Sequence, residues 1–110
     1  MPTLRAREDF ARISAKGRSR SDRLMVARFV PNGRDHDRFG ISTGRRLGGA
    51  VQRNRVRRRL REILRRSAND SGRGWDILIV ARPSAVDASY DELRASLERL
   101  LDLVRGSVNA

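Results

Sequence analysis

The sequence predicts a small α+β sandwich, a small α/β layer structure with helices packed on one sheet, in the order α-β-β-(β)-α-β-α, the bracketed strand being optional. Three observations predict it. Residues 50–67 and 89–104 carry apolar residues at helical spacing. Residues 75–81, WDILIVA, are almost continuously apolar, as in a strand buried on both faces. Residues 23–30 and 38–43 alternate with a period of two. With 110 residues the chain is read as a single domain, 1–110, with one modest core.

Residues 5–14, RAREDFARIS, place Phe10 and Ile13 at helical spacing behind Leu4 and Ala6, and predict a short helix ended by Gly17. The next stretch, AKGRSRSD, is read as a polar, basic link. Along RLMVARFV, Met25, Ala27 and Phe29 share one face, and Leu24, Val26, Arg28 and Val30 share the other. An arginine on an apolar sheet face is unusual for a buried surface, so that face is read as open. Pro31, Asn32 and Gly33 make a turn, and the charged connector RDHD follows. In RFGIST, Phe39, Ile41 and Thr43 lie on one side. The other side has only Gly40, Ser42 and Gly44, so something can lie close against it.

The junction RRLGG leads into a long helix, from about Ala50 to Ser67. Asn69, Asp70, Ser71, Gly72 and Gly74 then break the chain, and Pro83 closes the last strand. The run from 38–43 through the helix to 75–81 is a β-α-β crossover. Ser89 to Glu92 reads as a capping box, with Asp91 and Glu92 at the positive end of the helix dipole. Tyr90, Leu93, Leu97, Leu100, Leu101 and Val104 form its apolar stripe.

A net charge of +12, nearly all arginine because Lys16 is the only lysine, calls for a polyanionic partner. Nucleic acid ranks first and an anionic membrane surface second. The absence of cysteine excludes a disulfide framework and Cys-ligated zinc. The single histidine, His36, reads as a solvated loop residue. No histidine–carboxylate pair and no phosphate-cradling glycine loop is present, so no catalytic residue is assigned to the protein. No apolar run reaches the length of a membrane span, and none resembles a signal peptide. A cytoplasmic protein without membrane or small-molecule partners is expected.

The charge is concentrated in the long helix. From Arg45 to Arg66 there are ten arginines and one acid, Glu62. With Val56 at zero on a helical wheel, Leu60, Ile63 and Leu64 fall within about 80° of it. Asn54, Arg58, Arg61 and Arg65 fall within about 40° of the opposite direction. Packing of the apolar stripe outweighs repulsion of roughly 0.2–0.5 kcal/mol per like-charged pair. The narrow stripe has a sheet to cover, which argues against an interfacial membrane helix. Glu62 can pair with Arg58 and Arg66. Asn54, which both donates and accepts, suits a local bond near the helix start, a ribose or base edge, or a hydrated metal.

The stretch GISTGRRLGGAVQRNRVRRRLREILR resembles the signature of the bacterial ribonuclease P protein subunit family. The resemblance rests on Arg53-Asn54-Arg55, then Arg57, Arg58 and Arg61, behind Arg45-Arg46 and Gly48-Gly49-Ala50-Val51. FARISAKGRS, IVARP and Tyr90-Asp91-Glu92-Leu93 resemble further parts of the family pattern, so that the likeness runs along about the whole chain. It implies a left-handed β-α-β crossover, against the general right-handed rule. It also implies a protein that binds a catalytic RNA subunit and, with it, removes the 5′ leader of precursor tRNA. The RNA would carry the chemistry with Mg2+. The arginine helix (Arg45, Arg46, Arg53, Asn54, Arg55, Arg57, Arg58, Arg61, Arg65) would dock on RNA, with Asn54 near the metal-dependent centre. Phe10, Val26, Arg28 and Ser42 would line a cleft for the single-stranded leader. Ser14 and Arg28 stand where family members can carry aromatics, so charge is expected to outweigh stacking here. A structural RNA binder of the ribosomal-protein type and a DNA-binding module are the alternatives on composition alone.

Overall fold

The order of elements is α1 (Arg7–Lys16), β1 (Arg18–Ser21), β2 (Met25–Pro31), β3 (Arg38–Ser42), α2 (Ala50–Ser67), β4 (Trp75–Ala81) and α3 (Tyr90–Arg105). This computed structural model describes residues 3–4, 7–67 and 74–107. The sheet runs β1-β2-β4-β3. β2 is antiparallel to β1 and β4, and β3 is parallel to β4. The parallel pair is joined through α2, which is the expected crossover. Short 3-10 turns at Arg45–Leu47 and Pro83–Val86 precede α2 and α3.

β1 corrects the reading of residues 15–22 as a link. RSRS shows no apolar alternation, and all four residues are exposed. Its strand form comes from pairing with β2, where Ser19 lies opposite Arg28. The third strand of the expected order therefore precedes the other two. Leu24 is a second correction. It lies ahead of β2 and packs with the main core, not with Val26. Ala6 and the break at Asn69, Asp70, Ser71 and Gly72 lie outside the described residues.

One sheet face holds the main core. Met25, Ala27, Phe29, Phe39, Trp75, Ile77 and Ile79 meet Val56, Leu60, Ile63 and Leu64 of α2 and the Leu93–Val104 stripe of α3. The predicted α2 stripe is fully inside, each member at most 1% exposed. Burial of roughly 1.5–3 kcal/mol per large side chain secures the helix despite its charge. Phe29 and Trp75 meet edge to face at 5.3 Å, with the Arg18 guanidinium over both rings. The capping box of α3 forms in both directions.

α1 covers only part of the other face. Ile13 and Leu4 pack on Val30 and Leu78, with Phe10 and Val80 partly buried beside them. Gly40 makes this possible, since a Cβ there would come within 3.1 Å of the Phe10 ring and 3.3 Å of Leu4. Leu4 donates to the Phe39 carbonyl at 2.8 Å, and Thr3 bridges to Phe39. α1 is locked by Asp76, which is fully buried. Arg38 grips its carboxylate with Nε at 2.9 Å and Nη2 at 2.7 Å, Asn32 Nδ2 donates at 2.9 Å, and Arg12 reaches it from α1. Arg38 also donates to Asp9 of α1 at 3.1 Å. Burial alone would raise the Asp76 carboxyl. Hydrogen bonds from Arg38 and Asn32 and the charges of Arg38 and Arg12 outweigh it and hold the group below its ordinary value.

Candidate nucleic-acid interface

The arginine helix presents the expected column, for Asn54, Arg58, Arg61 and Arg65 are all exposed. Arg58 makes no ion pair among the described residues, whereas Glu62 pairs with Arg66 at 3.1 Å. Arg45 and Arg46 are exposed on the turn before α2, which buried Leu47 anchors. Gly48 follows at φ 120°, a conformation closed to other residues at little cost, and so turns the chain into the helix.

The remaining arginines differ in how far the fold employs them. Arg57 is strapped down. Its Nη1 donates to Asn54 Oδ1 at 3.0 Å, and its Nη2 donates to Thr43 Oγ1 at 2.6 Å. Arg55 and Arg59 turn toward the backbone ahead of α3, donating to the Val86 carbonyl at 3.4 Å and the Ala88 carbonyl at 3.3 Å. Arg53 is half-buried, and its Nε has no acceptor.

The second surface is the part of the sheet that α1 leaves uncovered. The pairing register defines it. Ser21, Val26, Val80 and Ser42 form one cross-strand row, and Ser19, Arg28, Leu78 and Gly40 form the next. Val26, Arg28 and Ser42 of the expected cleft therefore share this face, and Phe10 borders it from α1. Ser19, Ser21 and Val80 complete it and were not legible in advance. The signal that finds them is the register with β1, a strand with no sequence signature.

Between α1, β3 and α2 lies a recess of about 330 Å³, lined among others by Phe10, Gly40, Ile41, Arg57, Arg61 and Arg65. An aromatic ring and a short apolar floor thus adjoin three arginines spaced four residues apart on α2. Of the nearby carboxylates, Asp9 and Asp76 are committed to Arg12 and Arg38, and Glu62 pairs with Arg66. Such a surface suits a flexible polyanion that offers flat rings, as single-stranded nucleic acid does. It offers no nucleophile with an adjacent base. The expectation that no histidine pairs with a carboxylate is corrected by His36 Nδ1 and Asp35 Oδ1, 2.9 Å apart in the connection between β2 and β3. Among the described residues no group of three or more His, Cys, Asp or Glu is placed to hold a metal, and no helix is long and apolar enough to cross a membrane.

Comparison with known proteins shows the family. Residues 2–105 match the family described as Ribonuclease P. The ribonuclease P protein component of Roseiflexus castenholzii is 36% identical, over 96% of this chain and 90% of its own. That of Chloroflexus aggregans is 41% identical over 89% of this chain and 73% of its own. The RNase P protein of Staphylococcus aureus superposes with a TM-score of 0.84 at 33% identity, covering 94% of this chain and 95% of that one. The RNase P protein of Thermotoga maritima gives 0.82 at 31% identity, covering 98% and 99%. A match along nearly the whole chain, in sequence and in fold, establishes that this chain belongs to the ribonuclease P protein family.

Proposed function

We propose that the chain is the protein subunit of ribonuclease P, working in the cytoplasm as an endoribonuclease only together with a catalytic RNA. It binds that RNA and the 5′ leader of precursor tRNA, and so assists the cut that gives the mature 5′ end. The observation that supports this reading is the recess where α1, β3 and the arginine column meet. It brings Phe10 and Gly40 together with Arg57, Arg61 and Arg65.

The protein's part is binding and orientation. Arg45, Arg46, Arg58, Arg61 and Arg65 offer charge to phosphates. Arg57 and Asn54 offer a braced pair of fixed geometry. Phe10 offers a ring edge at the mouth of the sheet face. Mg2+ would supply charge neutralisation and an activated water when bound to the RNA. Among the described residues no side-chain cluster fits such an ion. Asn54 is set among arginines, and its side-chain oxygen already accepts from Arg57. Mg2+ requires several oxygen ligands in octahedral array, usually with a carboxylate.

The test is reconstitution. The protein is added to ribonuclease P RNA and precursor tRNA at low Mg2+, and cleavage is measured. Stimulation is expected; no stimulation at a concentration that saturates the RNA would sink the subunit reading.

A further inference from the structure

Arg12 is an arginine of α1, two residues from Phe10, that the fold turns inward. So close to an aromatic of the candidate interface, its charge could have been offered to phosphate. Its Nη1 instead donates to the Pro31 carbonyl at 2.8 Å, and its Nη2 bonds the buried carboxylate of Asp76. The same carboxylate is gripped by Arg38, which also donates to Asp9 of α1. The charges thus run Arg12, Asp76, Arg38, Asp9 and return to the helix they left.

Helix geometry shows what this circuit fixes. Take the fully buried Ile13 as the centre of the packed side of α1. At about 100° per residue, Phe10 lies about 60° to one flank, and Asp9 and Arg12 lie about 40° and 100° to the other. Burial of Ile13 holds the helix to the sheet, but an apolar contact has no direction and resists rolling poorly. The two hydrogen bonds of the planar Arg12 fork are directional and do resist it. Phe10 rests over Gly40, which has no side chain to hold the ring in place. The Ser14 carbonyl, which accepts from Arg28 Nη2 at 3.2 Å, is a backbone group and ties only the far end of α1. At a side-chain radius of about 5–6 Å, a roll of about 10° carries the Phe10 ring about 1 Å.

We propose that Arg12 is a positioning residue for leader binding: held between Asp76 and the Pro31 carbonyl, it sets the roll of α1 and so the place of the Phe10 ring, without touching RNA. The proposal rests on the leader reading of the sheet face. It separates two tasks that composition runs together. The outward arginines of α2 meet phosphate, whereas Arg12 acts through a carboxylate and a ring. Asp76 keeps Arg38 and Asn32 when Arg12 is removed, so Arg12→Ala loosens the helix without leaving a buried charge alone.

The experiment uses the reconstituted holoenzyme. Affinities for precursor tRNA and mature tRNA are measured across a salt series for the wild type, Arg12→Ala, Arg12→Lys, Phe10→Ala, and Arg12→Ala combined with Phe10→Ala. Arg12→Ala is expected to weaken precursor binding about fivefold, with the loss confined to the precursor. The log–log salt slope should keep its wild-type value, whereas an arginine that met phosphate would flatten it by about 0.7 on removal. Arg12→Lys should recover only part of the affinity, because an ammonium lacks the planar fork. Where Phe10 is already alanine, Arg12→Ala should have no further effect. The chain has no cysteine, so spin labels at Ala11→Cys and Ala95→Cys, both exposed, report the roll of α1 against α3. Their distance distribution should shift or broaden in Arg12→Ala.

Failure can be assigned. If the wild type binds precursor and mature tRNA equally, the leader reading falls and the proposal falls with it. If the wild type discriminates and Arg12→Ala discriminates equally well, only the positioning role is overturned. A flatter salt slope, or a loss that persists in full without Phe10, would make Arg12 an RNA contact instead. A lost preference with an unchanged label distance overturns the positioning role as well. The labels are read on the free, folded protein, so a change in overall stability does not enter that measurement.

Discussion

Asn54 Oδ1 accepts a hydrogen bond from Arg57 Nη1 at 3.0 Å, across one turn of α2. Arg57 Nη2 reaches Thr43 Oγ1 at the end of β3 at 2.6 Å. The neutral residue in a run of arginines is therefore a brace. It holds one guanidinium flat between helix and sheet and leaves its own amide nitrogen available.

Asn54→Ala should free one end of Arg57. RNA affinity is expected to fall about three- to tenfold, as for loss of one hydrogen bond to a charged group. The melting temperature should hardly move, because exposed substitutions stay within about 0.5 kcal/mol. Thr43→Val releases the other end and should lower affinity similarly. Unchanged binding in both variants would show that the brace has no part in RNA recognition.

Arg58→Ala combined with Arg61→Ala removes two exposed charges from the column. The log–log salt dependence of RNA binding should become shallower by about 1.4 to 1.8, which is 0.7 to 0.9 per phosphate contact. A slope equal to the wild type's would mean that this side of α2 does not meet phosphate. Arg55 and Arg59, which are turned to the Val86 and Ala88 carbonyls, should contribute less to the slope when replaced.

Asp76 predicts a pH dependence. Its folded value lies below the ordinary 3.8, so the stability it contributes is present above that value and lost as the pH falls through the folded one. Asp76→Asn should cost about 3 kcal/mol at neutral pH, near the lower end for breaking a buried pair, because Arg12 and Arg38 keep some access to water. Thermal melts from pH 7 to pH 2 should show a lower starting point and a flatter acid limb than the wild type. Parallel curves would rule out Asp76 as the group lost in acid.

Gly40→Val tests the seat of α1. Even a single Cβ would meet Phe10 at 3.1 Å and Leu4 and Leu78 at 3.3 Å. A larger side chain must push α1 outward, at about 1–3 kcal/mol by analogy with overpacked cores. Precursor affinity should drop with stability, since Phe10 moves with the helix. Wild-type melting and binding would mean that α1 is not held by this contact.

The parts legible in the sequence are those with a strong period. Val56, Leu60, Ile63 and Leu64 mark the buried side of α2 because a buried stripe needs that spacing, and the same spacing left Arg58, Arg61 and Arg65 outside. β1 was illegible because a strand of alternating arginine and serine has no apolar face, and only its partner β2 makes it one. The Asp76 cluster was illegible for another reason. One acid in an apolar strand says nothing of Arg12, Asn32 and Arg38, which lie 64, 44 and 38 residues away. The contact between Arg28 and Ser14 is likewise a product of tertiary packing, although each residue had been singled out.

The sheet's two margins carry one further consequence. β3 would expose a row of unpaired amides and carbonyls, but Leu4 and Thr3 lie along its first half. β1 bounds the opposite margin, is four residues long, and bears Arg18 and Arg20. A second molecule that tried to extend the sheet would meet an occupied margin on one side and a short, positively charged one on the other. Both margins of the sheet therefore disfavour edge-to-edge pairing with a second copy of the chain, even where its high positive charge is not yet covered by a partner.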